Sequence, residues 1–280
     1  MPARFLGAAA AVGELVPEGA TIGVAGMHME AAPMALVREI ARAGIRVRRL
    51  VTSPSSSLQA DLLIGAGLVD EIVSPYVGFE HLGLAPGFRR AVESGELRVL
   101  EVDEGSLTHA LYAGGAGIPF IPCPPGIELT DIPRVDPELF QKTTDPFTGA
   151  EGWAVPALRP DVTLLAAAEA DEKGNIALGR FPFTDRLMAL AAHRLVVQVE
   201  RIVPAEDIAA RAPGETFPAF LPAAVVVAPG GCRPTASPGF YPRDEDALRG
   251  YLRAGRDPES MAAWIEAYLA ELPASEAART

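Results

Sequence analysis

The chain has 280 residues, nearly half of them apolar, and carries 36 Asp and Glu against 24 Lys and Arg, a formal charge of −12. This length and apolar share allow one large α/β domain or two small ones around a sizeable core. The negative charge excludes duplex nucleic acid as a partner, because phosphates need Lys and Arg to neutralise them.

The opening "MPARFLGAAAAVGELVPEG" predicts an amphipathic helix closed by Pro17 and Gly19. It does not read as a signal peptide, since Gly7 interrupts the apolar stretch and the first residues are weakly basic. "ATIGVAG" predicts a buried strand, and "MALVREIARAG" a helix with Leu36, Val37, Ile40 and Ala41 on one face and Gly44 as its stop. "VRRLVT" is the next strand, "SLQADLLIGAGLV" a helix, and "DEIVSPYVGF" a strand running into a loop. "APGFRRAVESGEL" is a helix between Pro86 and Gly95, and "LRVLEV" a strand. The Pro- and Gly-rich stretch after Phe120 reads as a long loop, either plain surface or a lid. "DVTLLAAAEAD", "HRLVVQVERIV" and "AAVVVAPGG" supply three more buried strands, and two helices near Asp244 to Arg253 and Pro258 to Leu272 end the pattern.

Apolar strands alternating with helices predict a three-layer α/β fold with a mostly parallel sheet covered on both faces. No linker divides the chain, so residues 1–280 are expected to form one domain, with C-terminal helices over about 243–272. No apolar run approaches ~18 residues, so no membrane span is expected. Two cysteines, Cys123 and Cys232, without a C-x-x-C indicate neither a zinc cage nor a redox motif. They suit a reducing, cytoplasmic setting.

In such sheets ligands sit beyond the carboxyl ends of strands. Three loops there are candidates: after Gly26, after Ser74 and after Val102. The first, "GVAGMHMEAAP", lacks the full dinucleotide and P-loop patterns, but its small residues let backbone N–H groups approach a ligand. His28 lies in it with Glu30 two residues on, a weak metal pair with no further ligand spacing among the other histidines. "SPSSSL" (Ser53 to Leu58) reads as a helix N-cap cluster and not as a nucleophile. "YVGFEHLG" places Glu80 and His81 on the same rim. Asp103 and Glu104 end another strand, where either could cap the following helix.

The order of these motifs resembles the A chain of family I coenzyme A transferases of the glutaconate and 3-oxoacid type. The likeness rests on "EGATIGVAGM" with Pro33, on Gly95 to Phe120 ending in "AGGAGIPF", on "AVPALRPDVTLLAAAEADEKGN", and on "APGGCRPTASPGFYPRDEDAL". It spans nearly the whole chain and implies the fold of that family, which is related to sugar-phosphate isomerases. It also implies an acyl-CoA substrate with coenzyme A as part of it, no permanently bound cofactor and no metal. It further implies a B-subunit partner, a carboxylate acceptor and an (AB)n oligomer. The nucleophile in the family is a glutamate of the B chain, which forms an acyl anhydride and then a glutamyl-CoA thioester. The B-type S-E-N-G stretch is absent here, so this chain is not expected to carry the covalent cycle.

The resemblance implies that Glu104 is catalytic and that Gly26, Met27, His28, Glu80, Gly105, Gly114, Gly115 and Gly117 line the thioester site. Two departures stand out. The family commonly has Gly where His28 stands, and transferase members often carry Gln where Glu104 stands. A Gln amide donates to a thioester carbonyl, whereas an ionised Glu cannot. Glu104 must therefore keep a proton, through burial, or act as a base. A Glu here resembles subunits of bacterial steroid-ring degradation that hydrolyse a cyclic acyl-CoA, so ring-opening hydrolysis is the alternative to transfer. A non-catalytic ligand-binding scaffold is a further alternative.

Overall fold

The computed structural model describes residues 3–270. The first half runs β1 (Arg4–Phe5), α1 (Ala8–Leu15), β2 (Ala20–Val24), α2 (Met34–Ala43), β3 (Val47–Thr52), α3 (Leu58–Gly65), β4 (Val69–Val73), α4 (Pro86–Ser94), β5 (Arg98–Leu100) and α5 (Glu104–Ala116). It continues with β6 (Phe120–Pro122), a short α6 (Ile132–Val135), β7 (Gln141–Thr144) and β8 (Glu151–Pro156). The rest comprises β9 (Val162–Ala170), β10 (Ile176–Ala177), α7 (Asp185–Ala191), β11 (Arg194–Ile202), α8 (Ala205–Ala209), β12 (Thr216–Phe217), β13 (Pro222–Val227), α9 (Glu245–Ala254) and α10 (Pro258–Ala270). The expected end of the last helix, Leu272, lies outside the described residues.

Local chemistry explains where the elements stop. α2 and α4 end on Gly44 and Gly95, both left-handed at φ 63° and 76°, which costs glycine little. Asp244 caps α9 by accepting from the Ala247 N–H at 2.9 Å.

Eight strands pair side by side in the order β1–β13–β11–β9–β2–β3–β4–β5, every neighbouring pair parallel. β10 adds antiparallel to β9 and pairs with β12. Successive strand residues face opposite sides, as the pleat requires. Leu50, Leu164, Val196 and Val226 join a core with Val12 of α1, Leu36 and Ile40 of α2 and Leu62 of α3. Val51, Leu165, Val197 and Val225 join a second core with Leu107 and Leu111 of α5 and Met188 of α7. Helices thus cover both faces, and the expected three-layer α/β architecture with a mostly parallel sheet is what the chain forms.

The stretch after Phe120 is not the loop its turn residues suggest. β6, β8 and β7 form a small antiparallel sheet. Each strand is short and separated by Pro and Gly, so no periodicity marks it in the sequence. Asp145 makes the hairpin between β7 and β8, its carboxylate accepting from Phe147 N–H at 2.8 Å and from the Thr148 hydroxyl at 2.6 Å.

One buried acid joins three helices. Asp61 of α3 is fully buried and accepts from the N–H groups of Gly87 (3.2 Å) and Phe88 (2.5 Å) and from the Tyr251 hydroxyl (2.8 Å). α4 begins with Pro86 and has no capping side chain of its own, so Asp61 satisfies its first donors from a neighbouring helix. Burial pushes this carboxyl up to about 6 from its ordinary 3.8, against the opposing hydrogen bonds of Phe88, Tyr251 and Gly87. The folded chain therefore holds this proton more tightly than the unfolded chain. The stability it contributes is complete below the unfolded value and is lost as pH rises through about 6. Asp61→Asn removes this dependence. Urea unfolding of both proteins from about pH 4 to pH 7 should show the wild type losing up to about 3 kcal/mol relative to the variant.

Candidate functional site

From β2 the chain steps outward to β3, β4 and β5; from β9 it steps the other way to β11 and β13. The winding reverses between β2 and β9, and the crevice beyond the carboxyl ends at such a reversal is where open α/β sheets bind ligands. On the β2 side of this reversal the loops after β2, β3, β4 and β5 meet around a hollow of about 440 Å³ lined by Met27, His28, Pro54, Ser55, Pro75, Tyr76, Glu80 and Glu104. A larger cavity of about 1060 Å³ lies on the small sheet, between β6–β8 and the 123–128 segment. We place the site at the smaller hollow because four strand-to-helix loops converge on it.

His28 and Glu80 both adopt left-handed backbone conformations, φ 55° and 51°, unusual for residues with a Cβ. The His28 N–H donates to the Ser55 carbonyl at 2.9 Å, and the Ser57 hydroxyl donates to the His28 carbonyl at 2.7 Å. The imidazole Nδ1 lies 2.7 Å from Glu80 Oε1, and the Ser55 hydroxyl donates to the same oxygen at 2.9 Å. These bonds, that of His28 first, hold the Glu80 carboxyl below the ordinary carboxylate range. An ionised carboxylate only accepts, so Nδ1 carries the proton and Nε2 is the nitrogen left for other partners.

Two readings are sharpened here. The weak His28–Glu30 pair is not used: His28 is a half-exposed loop histidine whose backbone binds Ser55 and whose ring pairs with Glu80 from a distant loop. The serine run is more than a cap cluster: Ser57 precedes α3 but its side chain makes no capping bond, turning instead to the His28 carbonyl and Gln59. Ser55, Pro54 and Tyr76 carry no mark in the sequence that singles them out. The one available signal is that "SPSSS" follows a strand's carboxyl end.

Asp103 caps α5, accepting from the Ser106 N–H at 3.0 Å. Glu104 is the first residue of that helix, exposed, and its carboxylate bonds no group among the described residues. The cap and the free carboxylate are thus separate. Gly105 sits tight against Pro124, whose Cγ would lie 2.8 Å from an added Cβ.

Gly26 lies just behind the hollow. Its φ is 96°, an added Cβ would meet the Ala31 carbonyl oxygen at 2.7 Å, and its N–H donates to Asp185 Oδ1 at 3.1 Å. Asp185 begins α7 and pairs with Arg180, both buried. Burial raises the Asp185 carboxyl above its ordinary value, while Arg180 and the Gly26 N–H oppose the rise.

The remaining expected residues lie elsewhere. Gly114 packs under Leu158, whose carbonyl oxygen would be 2.1 Å from an added Cβ; Gly115 packs on Leu190 at 3.1 Å; Gly117 is the left-handed end of α5 at φ 74°. These three serve helix packing and termination rather than lining the hollow. His81 turns to Glu245 of α9 at 3.3 Å. Both cysteines are free thiols, pushed by burial up to about 11 (Cys123) and about 12 (Cys232). Among the described residues no three of His, Cys, Asp and Glu come together to hold a metal ion. The "ADEKGN" segment is a turn, with Asp171 accepting from Lys173 and Asn175 N–H groups at 2.9 Å each.

Known proteins share this architecture. The coenzyme A transferase family description matches residues 5–228. The chain is 36% identical over 263 residues to the A chain of 3-oxoadipate CoA-transferase from Pseudomonas knackmussii, covering 92% of this chain and 91% of that one. It is 33% identical over 271 residues to the cholesterol ring-cleaving hydrolase IpdA subunit of Rhodococcus jostii, covering 92% and 89%. The crystal structure of a variant of the decarboxylase AibA/AibB superposes with a TM-score of 0.85 at 33% identity, covering 97% of this chain and all of that one.

The packing role of Gly114 is testable. Gly114→Ala should lower stability by about 1–3 kcal/mol, read as a drop in melting temperature, because the methyl group must displace the Leu158 backbone. A variant of unchanged melting temperature would return Gly114 to the candidates for substrate contact.

Proposed function

This chain belongs to the coenzyme A transferase family, and from that premise we propose that it is the A chain of a two-chain enzyme acting on an acyl-CoA thioester. In the first reading the enzyme transfers coenzyme A to a carboxylic acid. One observation carries the assignment of the site: Glu104, a carboxylate without a protein partner among the described residues, stands at the mouth of a hollow formed by four successive strand-to-helix loops. A thioester entering that hollow meets Glu104 on one side and His28 and Glu80 on the other. The partner chain supplies the glutamate that attacks the thioester. Coenzyme A belongs to the substrate, and the chain's own residues orient it.

A second chain has a surface to meet. Phe181 and Phe183 pack edge to face, with Phe181 73% exposed, in the segment leading to Asp185 and hence to the Gly26 loop. Exposed aromatic residues beside a site suit burial by a partner. Among the described residues no helix is long and apolar enough to cross a membrane, and the reading takes the enzyme as a cytoplasmic (AB)n assembly.

The free carboxylate of Glu104 favours a second reading, hydrolysis of the thioester or of a carbon–carbon bond in the acyl group. Transfer exchanges one carboxylate for another and needs no base, whereas activating water or a carbon acid does. Glu104→Gln separates the two in the complex with the B chain. Exchange of coenzyme A into a carboxylate should survive, because a Gln amide can donate to the thioester carbonyl and transfer needs no base. Thiol release into water should fall by about 100-fold or more. If neither rate changes, Glu104 lies outside the chemistry.

A further inference from the structure

Transfer of coenzyme A between carboxylates moves no proton overall. Hydrolysis must move one: water loses a proton and the departing sulfur gains one. Glu104, as a base, accounts for the first half only. The structure provides a group for the second. His28 faces the same hollow as Glu104, with Nδ1 bound to Glu80 and Nε2 bonded to no group among the described residues.

We propose that His28, oriented by Glu80, is the catalytic acid that protonates the thioester sulfur as it leaves, and that Glu80 is its positioning residue. This rests on the hydrolytic reading of the site. Water gives a proton to the Glu104 carboxylate while its oxygen bonds the thioester carbonyl carbon. The carbon–sulfur bond breaks, and the sulfur takes the Nε2 proton of the His28 imidazolium to give the thiol. The proton on Glu104 then passes to His28 through solvent, restoring both. Acyl-CoA and water yield a carboxylic acid and coenzyme A.

Three observations support the role beyond proximity. The imidazole is fixed at both ends, its backbone by Ser55 and Ser57 and its ring by Glu80. Glu80 in turn is fixed by Ser55 and held ionised, so it orients the ring as a carboxylate does in acid–base sites. Finally, both residues hold a left-handed backbone that glycine would adopt at less cost. Side chains kept in strained conformations cluster where chemistry uses them.

The test uses three probes, acetyl-, butyryl- and succinyl-CoA, on the complex of this chain with its B partner, with thiol release as the readout. His28→Gly relieves the backbone and should melt no lower than the wild type, yet hydrolyse the best probe about 100-fold more slowly or worse. Added imidazole should restore part of the lost rate in His28→Gly and none in His28→Gln, where the pocket stays filled. Nitrogen-15 spectra taken at alkaline pH, where the ring has given up its Nε2 proton, should show the Nδ1–H tautomer in the wild type and its loss in Glu80→Gln. Wild-type hydrolysis with an equally active His28→Gly, or a neutral Nε2–H form in the wild type, would overturn the role of His28 alone. A wild-type complex that exchanges coenzyme A into carboxylates but hydrolyses none of the probes would overturn the hydrolytic reading, and this role with it.

Discussion

The close pairing of β2 with β9 at the centre of the sheet is the constraint on which the site depends. Gly23 lies opposite Thr163, and an added Cβ there would come within 2.5 Å of the Thr163 hydroxyl. That hydroxyl donates to the Met188 carbonyl of α7 at 3.2 Å, and the same helix begins with Asp185, which receives the Gly26 N–H. A short closed path therefore links β2, β9, α7 and the loop after β2. A side chain at Gly23 would push the two strands apart and release the loop that carries His28. The Arg180–Asp185 pair is the buried part of this path. Removing one partner would leave the other's charge uncompensated, which is why such pairs tolerate little change.

The hollow is built on contrast. Its walls are rigid: buried strands run directly into it, and Ser53, Ser56 and Ser57 are fully buried at its back. Its lining mixes apolar residues with two acids, Glu80 and Glu104 on the neighbouring loops after β4 and β5, and includes no Lys or Arg. The acyl portion of a thioester suits this lining better than the phosphates of coenzyme A do. Glu104 remains exposed because only this chain surrounds it, and a second chain seated near Phe181 and Phe183 would change the dielectric around all three titratable groups.

Much of this was legible in the sequence. Runs such as "VRRLVT" and "DVTLLAAAEAD", and the spacing of Leu36, Val37 and Ile40, specified strands and helices because side-chain period follows from local backbone geometry. Their alternation implied a parallel sheet, and a parallel sheet implied a site at the strands' carboxyl ends. That reasoning marked the loops that carry His28, Glu80 and Glu104, the family resemblance added Met27 and preferred Glu104 to Asp103, and these four residues border one hollow. It also separated the two adjacent acids as a question, which the Asp103–Ser106 hydrogen bond answered in favour of Asp103 as the cap.

What the sequence could not rank was contact through space. His28 and Glu80 lie 52 residues apart and meet only because β2, β3 and β4 are neighbours in the sheet. Gly114 and Gly115 belong to a motif that looks like a ligand loop, yet they make room for Leu158 and Leu190. The small sheet of β6 to β8 left no trace because strands of three to six residues, broken by Pro and Gly, offer too few repeats of any period to see. Local periodicity determined the elements and their order. Tertiary structure decided which polar groups share a hydrogen bond, because that depends on the position of strands in a sheet and not on their distance along the chain.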